Sequence, residues 1–528
     1  MSIGLTASSR SAGQSTSLRA YLRVEHGFDA VFGAASNPWR HLGALGFLFF
    51  WIISISGLYL YAVLDTSVDG VYKSIAGLSR EQWYFGGVLR SLHRYAADAF
   101  VLVTLLHVLR EFLLGRFSGF RRFSWLTGVP LLWFIYISGV VGFWLKWDQL
   151  AQFSAIAAAE WLDSLPIFAT PLTRNFLNAA AVSDRLFSLF VFVHIGVPLL
   201  LIFALWFHIQ RISRAEIFPA RALSLGTLAT LIVLALLQPV ASQGPADLSM
   251  VPSSFGIDWF YLFLQPLMYA TSAGVAWSLV AGLTLFLIIL PALPRAEAAA
   301  IAEVHPDNCN GCRRCVEDCP YTAIVMVPHP DGKPGRQLAE VLPHLCASCG
   351  ICAGSCPSAT PFRSGAELVT GIDMPQTSIG LLRQAVEEGL ARLDSEHKII
   401  VFGCDQGAVV GDIEDRDVAS LSLICIGMLP PSFIEYALRG GAAGVLVTGC
   451  RQGGCAYRLG NGWTEERLSG TREPHLRGSV DRSRLCVAWA DRGEESKLAA
   501  TLAEFRQVLA ARPGHAQIAP PKRMTAHG

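Results

Sequence analysis

The chain is divided in two: its long apolar runs end before residue 295, and its thirteen cysteines all lie between Cys309 and Cys486. Runs such as "LGALGFLFFWIISISGLYLYAVL" and "AGVAWSLVAGLTLFLIILPAL" match the roughly 20 apolar residues that a helix needs to cross a hydrocarbon core. With 528 residues, 52% of them hydrophobic and 16% charged, three or four domains are expected, part of them in a bilayer. A net charge of +1 gives no electrostatic footprint for nucleic acid, and no such partner is expected. The tight cysteine spacings indicate metal ligation in a reducing compartment, not a secreted disulfide framework. The first twenty residues are polar and Ser-rich with no apolar core, so no cleaved signal peptide is expected.

Six transmembrane spans are expected, near 42–63, 88–113, 125–145, 186–210, 222–240 and 273–292. The short aromatic stretch "WFYLFLQPLMYA" (259–270), broken by Pro266, reads as an interfacial segment. With six spans, one face of the membrane receives Arg10, Arg19, Arg23, Arg40, Arg110, Arg116, Arg121, Arg122, Arg211, Arg214 and Arg221. The other receives Lys73, Arg80, Arg90, Lys146, Arg174 and Arg185. The positive-inside rule then puts both termini, and the cysteine-rich half, on the cytoplasmic side of the inner membrane.

Two spans carry histidines at one spacing: "HRYAADAFVLVTLLH" (93–107) and "HIGVPLLLIFALWFH" (194–208). Fourteen helical residues advance about 21 Å and nearly complete four turns, so each pair lies on one face at two depths. Both spans run in the same direction, which sets His93 level with His194 near the outer surface and His107 level with His208 near the inner one. Each facing pair supplies both axial ligands of a haem. A lone intramembrane histidine more often pairs with another polar group; two repeats at identical spacing favour haem. Gly43 and Gly57, and Gly128 and Gly142, share the fourteen-residue period and would let a flat macrocycle approach the backbone. Helix packing explains any one of them but not the common period. Arg90, Arg94, Arg110 and Arg116 lie where haem propionates would need cations, or where arginines simply snorkel.

These residues, with "RSLHRYAADAFVLVTLLHVLREFLLGRF", "WLTGV" and "GVVGFWLKWDQ", make residues 35–290 resemble the cytochrome b family of quinol-oxidising complexes. The resemblance implies a four-helix dihaem core over 35–215 behind a polar tail (1–34). It further implies two more helices with an outer quinone-site loop over 216–293, two b haems, and quinone or quinol as substrate. Relatives dimerise, so a homodimer is an open possibility. The stretch "QPVASQGPADLSMVPSSFGIDWFY" is similar to the family loop ending in Pro-Glu-Trp-Tyr. Two departures stand out. Lys146, Trp147, Asp148 and Gln149 replace Pro-Trp-Asp-Gln, and Ile257, Asp258, Trp259 and Phe260 replace Pro-Glu-Trp-Tyr. Asp258 keeps a carboxylate where the family uses Glu as quinone-site proton carrier; an Asp beside Trp is equally an ordinary helix-start residue.

After an Ala/Pro-rich linker (294–306) come "CNGCRRCVEDCP" (309–320) and "CASCGICAGSCP" (346–357). Each is C-x2-C-x2-C-x3-C-P, the run that holds two [4Fe-4S] clusters with exchanged fourth ligands. One cluster is assigned to Cys309, Cys312, Cys315 and Cys356, the other to Cys346, Cys349, Cys352 and Cys319. Zinc is the competing metal, but its four ligands come in two pairs rather than four-cysteine runs ending in Pro. The segment 307–372 thus resembles a bacterial two-cluster ferredoxin, an α+β domain.

Beyond it, "KIIVFGC", "SLSLICI", "AGVLVTGC" and "RLCVAWA" alternate with helical stretches, the pattern of a small parallel α/β sheet. Cys404, Cys425, Cys450 and Cys455 fall where strands end, the edge at which such sheets bind cofactors. Four thiols there suit a [2Fe-2S] cluster; buried structural cysteines are the alternative. Cys486 lies inside a strand and is read as core. The stretches "CIGMLPPSFIEYALRGGAAGVLVTGCRQGGCAYRLGN" and "WADRGEESKLAATLAEF" resemble the delta subunit of methyl-viologen-reducing hydrogenases. The resemblance implies a [2Fe-2S] relay domain over 373–512 that works beside a flavoprotein. Where that family often has a second cysteine, this chain has Gly407. The tail, 513–528, reads as disordered.

No nucleotide loop or flavin motif is present, so the expected role is relay rather than substrate chemistry. The chain reads as the electron-transfer subunit of a quinone-linked oxidoreductase, joining a cytosolic dehydrogenase or flavoprotein to the quinone pool. Two alternatives stand beside it: quinol oxidation driving electrons to a low-potential cytosolic acceptor, and a non-redox membrane anchor for a cytosolic complex.

Overall fold

The computed structural model describes residues 12–167, 170–172, 177–178, 181–212, 215–251, 254–293, 300–364, 367–413 and 415–511. The tail at 513–528, most of the sequence-defined linker (294–299), and Arg10, Arg174 and Arg214 lie outside them. The described residues form two compact units, one of residues 12–210 with 215–293, the other with its body at 300–511.

The first unit is helical. An amphipathic α1 (Ala12–Phe32) leads into α2 (Leu42–Val63) through a turn in which Arg40 donates to both oxygens of Asp29 at 2.8 Å. There follow α3 (Val71–Arg80), α4 (Val88–Leu113), α5 (Arg122–Trp144), α6 (Gln149–Asp163), α7 (Asp184–Ile209), α8 (Arg221–Leu237), α9 (Leu264–Ala270) and α10 (Ala273–Ile289). Helix α2 packs along α4, and α5 along α7, as two antiparallel pairs. Their shared core includes Phe49, Phe50, Phe100, Ile135 and Leu201.

Four segments are long and apolar enough to cross a membrane: Leu42–Val63, Gly119–Trp144, Asp184–Ile209 and Ala273–Ala292. Helix α4 has the length, 26 residues, but carries Arg90, Arg94, Asp98, Arg110 and Glu111; α8 is apolar but has 17 residues. The stretch at 259–270 contains the short α9.

The Lys146–Gln149 segment fastens the loop that follows α8. Asp148, wholly buried, accepts from Ala151 N at 3.0 Å as the N-cap of α6 and from Gln243 N at 3.0 Å. Lys146 Nζ lies 2.9 Å from the same carboxylate. Gln152 donates to the carbonyls of Asp247 and Met250 at 2.8 and 2.9 Å.

The second unit contains three sheets among the described residues. Strand β1 (Glu303–Val304) pairs antiparallel with β4 (Ile372–Asp373), and β2 (Ile324–Pro328) with β3 (Gln337–Val341). The short helices α11 (Arg314–Asp318) and α12 (Ile351–Ser355) pack on each other. Then α13 (Ile379–Arg392) leads into four parallel strands: β5 (Ile399–Cys404), β6 (Val418–Leu423), β7 (Gly444–Gly449) and β8 (Leu485–Trp489), in the order β6-β5-β7-β8. Strands β5 and β7 are buried at every position, as a sheet covered on both faces requires. Helices α14 (Ser432–Arg439), α15 (Gly460–Ser469) and α16 (Glu495–Ala510) complete the unit.

The sequence-based boundary at 372/373 falls inside β4, and the segments on either side of it share one core: Ile324, Ala353 and Ile372 cluster with Phe433, Val447 and Leu468. A buried ion pair clasps them. Arg467, with a fully buried side chain, meets Asp318 of α11 at 2.5 Å and donates to Gly427 O at 2.8 Å; Arg472 reaches the other Asp318 oxygen at 2.6 Å.

Candidate redox centres

In the helical unit the histidines and glycines named from sequence oppose each other one to one. A Cβ built on Gly43 would lie 3.5 Å from His107 Cε1, and one on Gly57 would lie 3.0 Å from His93 Cε1. On Gly128 it would lie 3.3 Å from His208 Cε1, and on Gly142, 2.8 Å from His194 Cε1. Because α2 and α4 run antiparallel, the fourteen-residue glycine period of one helix meets the fourteen-residue histidine period of the other. The same holds for α5 and α7. The glycines therefore clear space for the imidazoles themselves.

The His93 and His194 ring centroids are 6.3 Å apart. A metal ion between two imidazoles sits about 2 Å from each ring nitrogen, so this gap admits one ion. His107 and His208 lie fourteen residues further along α4 and α7. Hydrogen bonds aim the rings: Nδ1 of His93 lies 3.0 Å from Ile53 O and 3.1 Å from Ser56 Oγ, and Nδ1 of His194 lies 2.9 Å from Ser138 O. Thr127 Oγ1 is 3.1 Å from Nδ1 of His208. A ring whose Nδ1–H is engaged in this way leaves the Nε2 lone pair for iron, the usual arrangement at metal-binding histidines. The residues present fit a pair of bis-histidine haems.

The hydroxyls were not singled out from sequence. Their signal was there: Ser56 and Thr127 each directly precede a histidine-facing glycine, and each donates its own hydrogen to a backbone carbonyl four residues back.

The arginines and Asp258 are engaged with partners inside the helical unit. Arg90 is buried and donates to Ile75 O at 3.0 Å, Ser79 Oγ at 3.0 Å and Ser242 Oγ at 2.7 Å. Arg94 forms ion pairs with Asp98 and with Asp258, so two residues assigned to separate tasks meet. The other Asp258 oxygen accepts from Phe260 N and Tyr261 N at 3.1 and 2.9 Å, a turn-capping role. Arg110 and Arg116 engage acids at the other end of α4: Arg110 reaches Glu25 at 3.2 Å, and both lie 3.5 Å from Glu111.

In the second unit the two cysteine runs fold into matching loops. Gly311 and Arg313 in the first, and Ser348 and Gly350 in the second, sit two and four residues after the leading cysteine, all with positive φ (70°, 66°, 55° and 73°). Backbone that alternates with the left-handed region turns its N–H groups inward into a concavity suited to anionic groups such as iron–sulfur clusters. Arg313 and Ser348 adopt it at the steric cost that side chains bring.

Two cavities result. Cys309, Cys312, Cys315 and Cys356 line one, and Cys319, Cys346, Cys349 and Cys352 line the other, so each draws its fourth cysteine from the opposite run. Ala323 N donates to Cys319 Sγ at 3.2 Å. Among the described residues no three His, Cys, Asp or Glu side chains gather tightly enough for a single metal ion. A cluster with one iron per thiolate does not need its ligands to meet at a point, and the two cavities fit that demand.

Cys404 ends β5, Cys425 and Cys450 follow β6 and β7, and Cys455 lies in the next loop; all four are buried. Cys404 and Cys450 sulfurs are 3.8 Å apart. Cys425 and Cys455 pack together in a buried cluster, and the four thiols influence one another as a set. It holds Cys404 and Cys455 below the ordinary thiol range and pushes Cys425 and Cys450 above it. Cys486, in β8, packs against the core under α16 and stands apart. Gly407 faces the backbone of Gly449 and Cys450, where a Cβ would lie 2.8 Å from a carbonyl carbon.

Comparison with known proteins agrees with this division. Residues 30–215 match the family model for cytochrome b/b6/petB. Residues 308–360 match the 4Fe-4S dicluster domain, and residues 399–511 the delta subunit of methyl-viologen-reducing hydrogenase. Cytochrome b6 of Heliobacterium mobile is 29% identical over 159 residues, 30% of this chain and 74% of that protein. A solved structure described as hyperthermophilic respiratory Complex III is 18% identical, with a TM-score of 0.40, over 52% of this chain and 82% of that one. The chain is a membrane electron-transfer subunit. More particularly, it joins a cytochrome b region, which implies haem b, to a 4Fe-4S dicluster domain and a hydrogenase delta-subunit-like domain.

Proposed function

We propose that the chain carries electrons between a cytosolic dehydrogenase or flavoprotein and the quinone pool, through two b haems, two [4Fe-4S] clusters and one [2Fe-2S] cluster. The observation that carries this reading is the joint presence of two glycine-faced histidine pairs and three four-cysteine sets in one polypeptide. In this reading α2, α4, α5, α7, α8 and α10 span the inner membrane, with both termini and all cysteines on the cytoplasmic side. His93 with His194, and His107 with His208, would hold the outer and inner haems. Cys404, Cys425, Cys450 and Cys455 would hold the [2Fe-2S] cluster.

Haem supplies one-electron chemistry when bound; the chain's own residues hold its ligand geometry and its dry surroundings. Asp258 would take a quinol proton only after release from Arg94, so in this reading the ion pair is the gate on that site. Arg90, held by three neighbours, would need to exchange one of them to reach a propionate.

The test is a redox difference spectrum of the full-length protein in detergent, reduced with dithionite and, separately, with a quinol analogue. The expected result is a two-haem b-type signal plus cluster bleaching with dithionite, and little haem reduction by quinol. Ready reduction of haems and clusters by quinol would assign the opposite direction, from quinol to a cytosolic acceptor. A colourless protein would leave only the non-redox anchor. His107→Ala should remove one haem and stop quinone reduction by the partner while the clusters remain reducible.

A further inference from the structure

We infer that the three cysteine sets form a wire with one order. The strand-end set exchanges electrons directly with the Cys319/Cys346/Cys349/Cys352 set, Cys349 is the joint between them, and the Cys309/Cys312/Cys315/Cys356 set is the exposed terminus. The inference rests on the reading above that all three sets hold clusters, and it adds their connectivity.

The joint is a packing fact. Cys349, Ile351, Cys425 and Cys455 form a buried cluster of their own, with Tyr457 packed against it; none of the Cys309/Cys312/Cys315/Cys356 set belongs to it. Glycines make the approach possible. A Cβ on Gly460 would lie 2.2 Å from Cys425 Sγ and 3.4 Å from Cys455 Sγ. One on Gly354 would lie 2.3 Å from Gly427 O, and one on Gly350 2.7 Å from Met428 Sδ. The loop bearing Cys349 and Cys352 therefore lies directly on the loop that follows Cys425, with no side chain at these glycine positions to hold the two apart.

At the other end, α11 packs on α12, and Cys315 and Cys352 lie in the same buried core cluster. Cys312 is exposed, whereas Cys349, Cys352 and all four strand-end cysteines are buried. Tunnelling rates fall exponentially with separation, so the sets whose ligands touch exchange fastest, and an exposed ligand marks where an electron leaves or joins the unit. Each transfer oxidises one set by one electron and reduces its neighbour by one, with no bond or proton exchanged. A reduced flavin on the partner would therefore discharge in two successive single-electron steps.

The experiment uses full-length protein, wild type and the variants Cys312→Ser and Cys346→Ser, with iron content measured and cryogenic electron paramagnetic resonance recorded at stepped potentials. The strand-end signal should relax fast when the neighbouring cluster is reduced, in wild type and Cys312→Ser alike. That fast relaxation should be lost in Cys346→Ser. Loss in Cys312→Ser with retention in Cys346→Ser would overturn the order while leaving the cluster assignment intact. Absence of any third cluster signal in wild type would overturn both. A second measurement needs no variant: a water-soluble paramagnetic relaxant should broaden the signal of the Cys312 set and spare the other two, and the reverse pattern would overturn the exposed terminus.

Discussion

The two units prepare their ligand atoms in opposite ways. In the helical unit the candidate ligands are imidazoles, and the Nδ1 atoms of His93 and His194 are tied to Ile53 O and Ser138 O, so these rings are oriented by backbone that the helices form in any case. In the cysteine unit, burial pushes the Cys315 thiol up to about 12, with Cys356, Cys312 and Cys309 adding to the rise; burial likewise raises Cys349 and Cys352. A thiolate is the ligand, so these groups must lose protons that the empty fold keeps. One site is a shaped slot and the other is completed by its metal.

The largest effect should therefore come from removing iron. Anaerobic chelation of the full-length protein should open residues 300–511 to protease throughout, because Cys315, Cys352, Cys404 and Cys450 sit inside the common core. The four core helices should stay protected in detergent. Equal resistance of both units would break the comparison. The pH sign is also fixed. For the iron-free chain, Cys315 has a folded pKa of about 12 against an ordinary 9.0. Its contribution is complete below pH 9 and is lost as pH rises through the folded value. Reloading iron runs the other way and improves as pH rises, which a titration of iron uptake would check.

The candidate ligands stood out in the sequence because a haem or a cluster would demand particular atoms at particular spacings. Histidines 93, 107, 194 and 208 and the two cysteine runs carried that demand in local stretches. The parallel strands were legible for a similar reason, since "KIIVFGC" and "AGVLVTGC" are mostly apolar. What could not be read was long-range. Arg94 and Asp258 are 164 residues apart, and Arg467 and Asp318 149 apart; neither pair leaves a local pattern. The seam between Cys349 and Cys425 is equally silent, because its glycines are meaningful only once two loops are known to touch. The glycine period was visible, but its partner, the imidazole edge, followed only from the antiparallel pairing of the helices.

The clasp between Arg467 and Asp318 comes next in size. Removing one partner of a buried pair leaves an uncompensated charge and costs about 3–5 kcal/mol. Arg467→Ala should lower the unfolding free energy of the cysteine unit by that margin, read from its denaturant melt, whereas Arg472→Ala, whose side chain is 14% exposed, should cost less. Equal losses would mean that Asp318, not the buried arginine, carries the strain.

Within the helical unit the glycines grade the two haem pairs. Gly142→Ala sets a Cβ 2.8 Å from the His194 ring, closer than atoms tolerate, while Gly43→Ala sets one at an ordinary 3.5 Å from His107. Overpacking of this kind costs about 1–3 kcal/mol. Gly142→Ala should reduce haem at the His93/His194 pair and leave the His107/His208 pair filled; Gly43→Ala should retain both. The haem-to-protein ratio and the two-haem difference spectrum decide it.

The smallest expected effect comes from the hydroxyls. Ser56 Oγ gives its hydrogen to Ile52 O at 2.7 Å, which leaves its oxygen free to accept from His93 Nδ1. Thr127 does the same for His208, its own hydrogen going to Phe123 O at 2.9 Å. Ser56→Ala and Thr127→Val each remove one acceptor from an Nδ1 that keeps a backbone carbonyl as its other partner, Ile53 for His93 and Ser124 for His208. A neutral hydrogen bond of this kind is worth about 0.5–1.5 kcal/mol, so both haems should remain bound. The ring left with fewer acceptors donates less electron density to iron and stabilises the oxidised state less. Each substitution should therefore raise the midpoint potential of its own haem, that of the His93/His194 pair for Ser56→Ala and that of the His107/His208 pair for Thr127→Val, while the other haem stays put. Loss of haem in place of a shift would show that the hydroxyls hold the rings in position. The contrast between pre-aimed histidines and metal-completed cysteines would then be narrower than the backbone bonds alone imply.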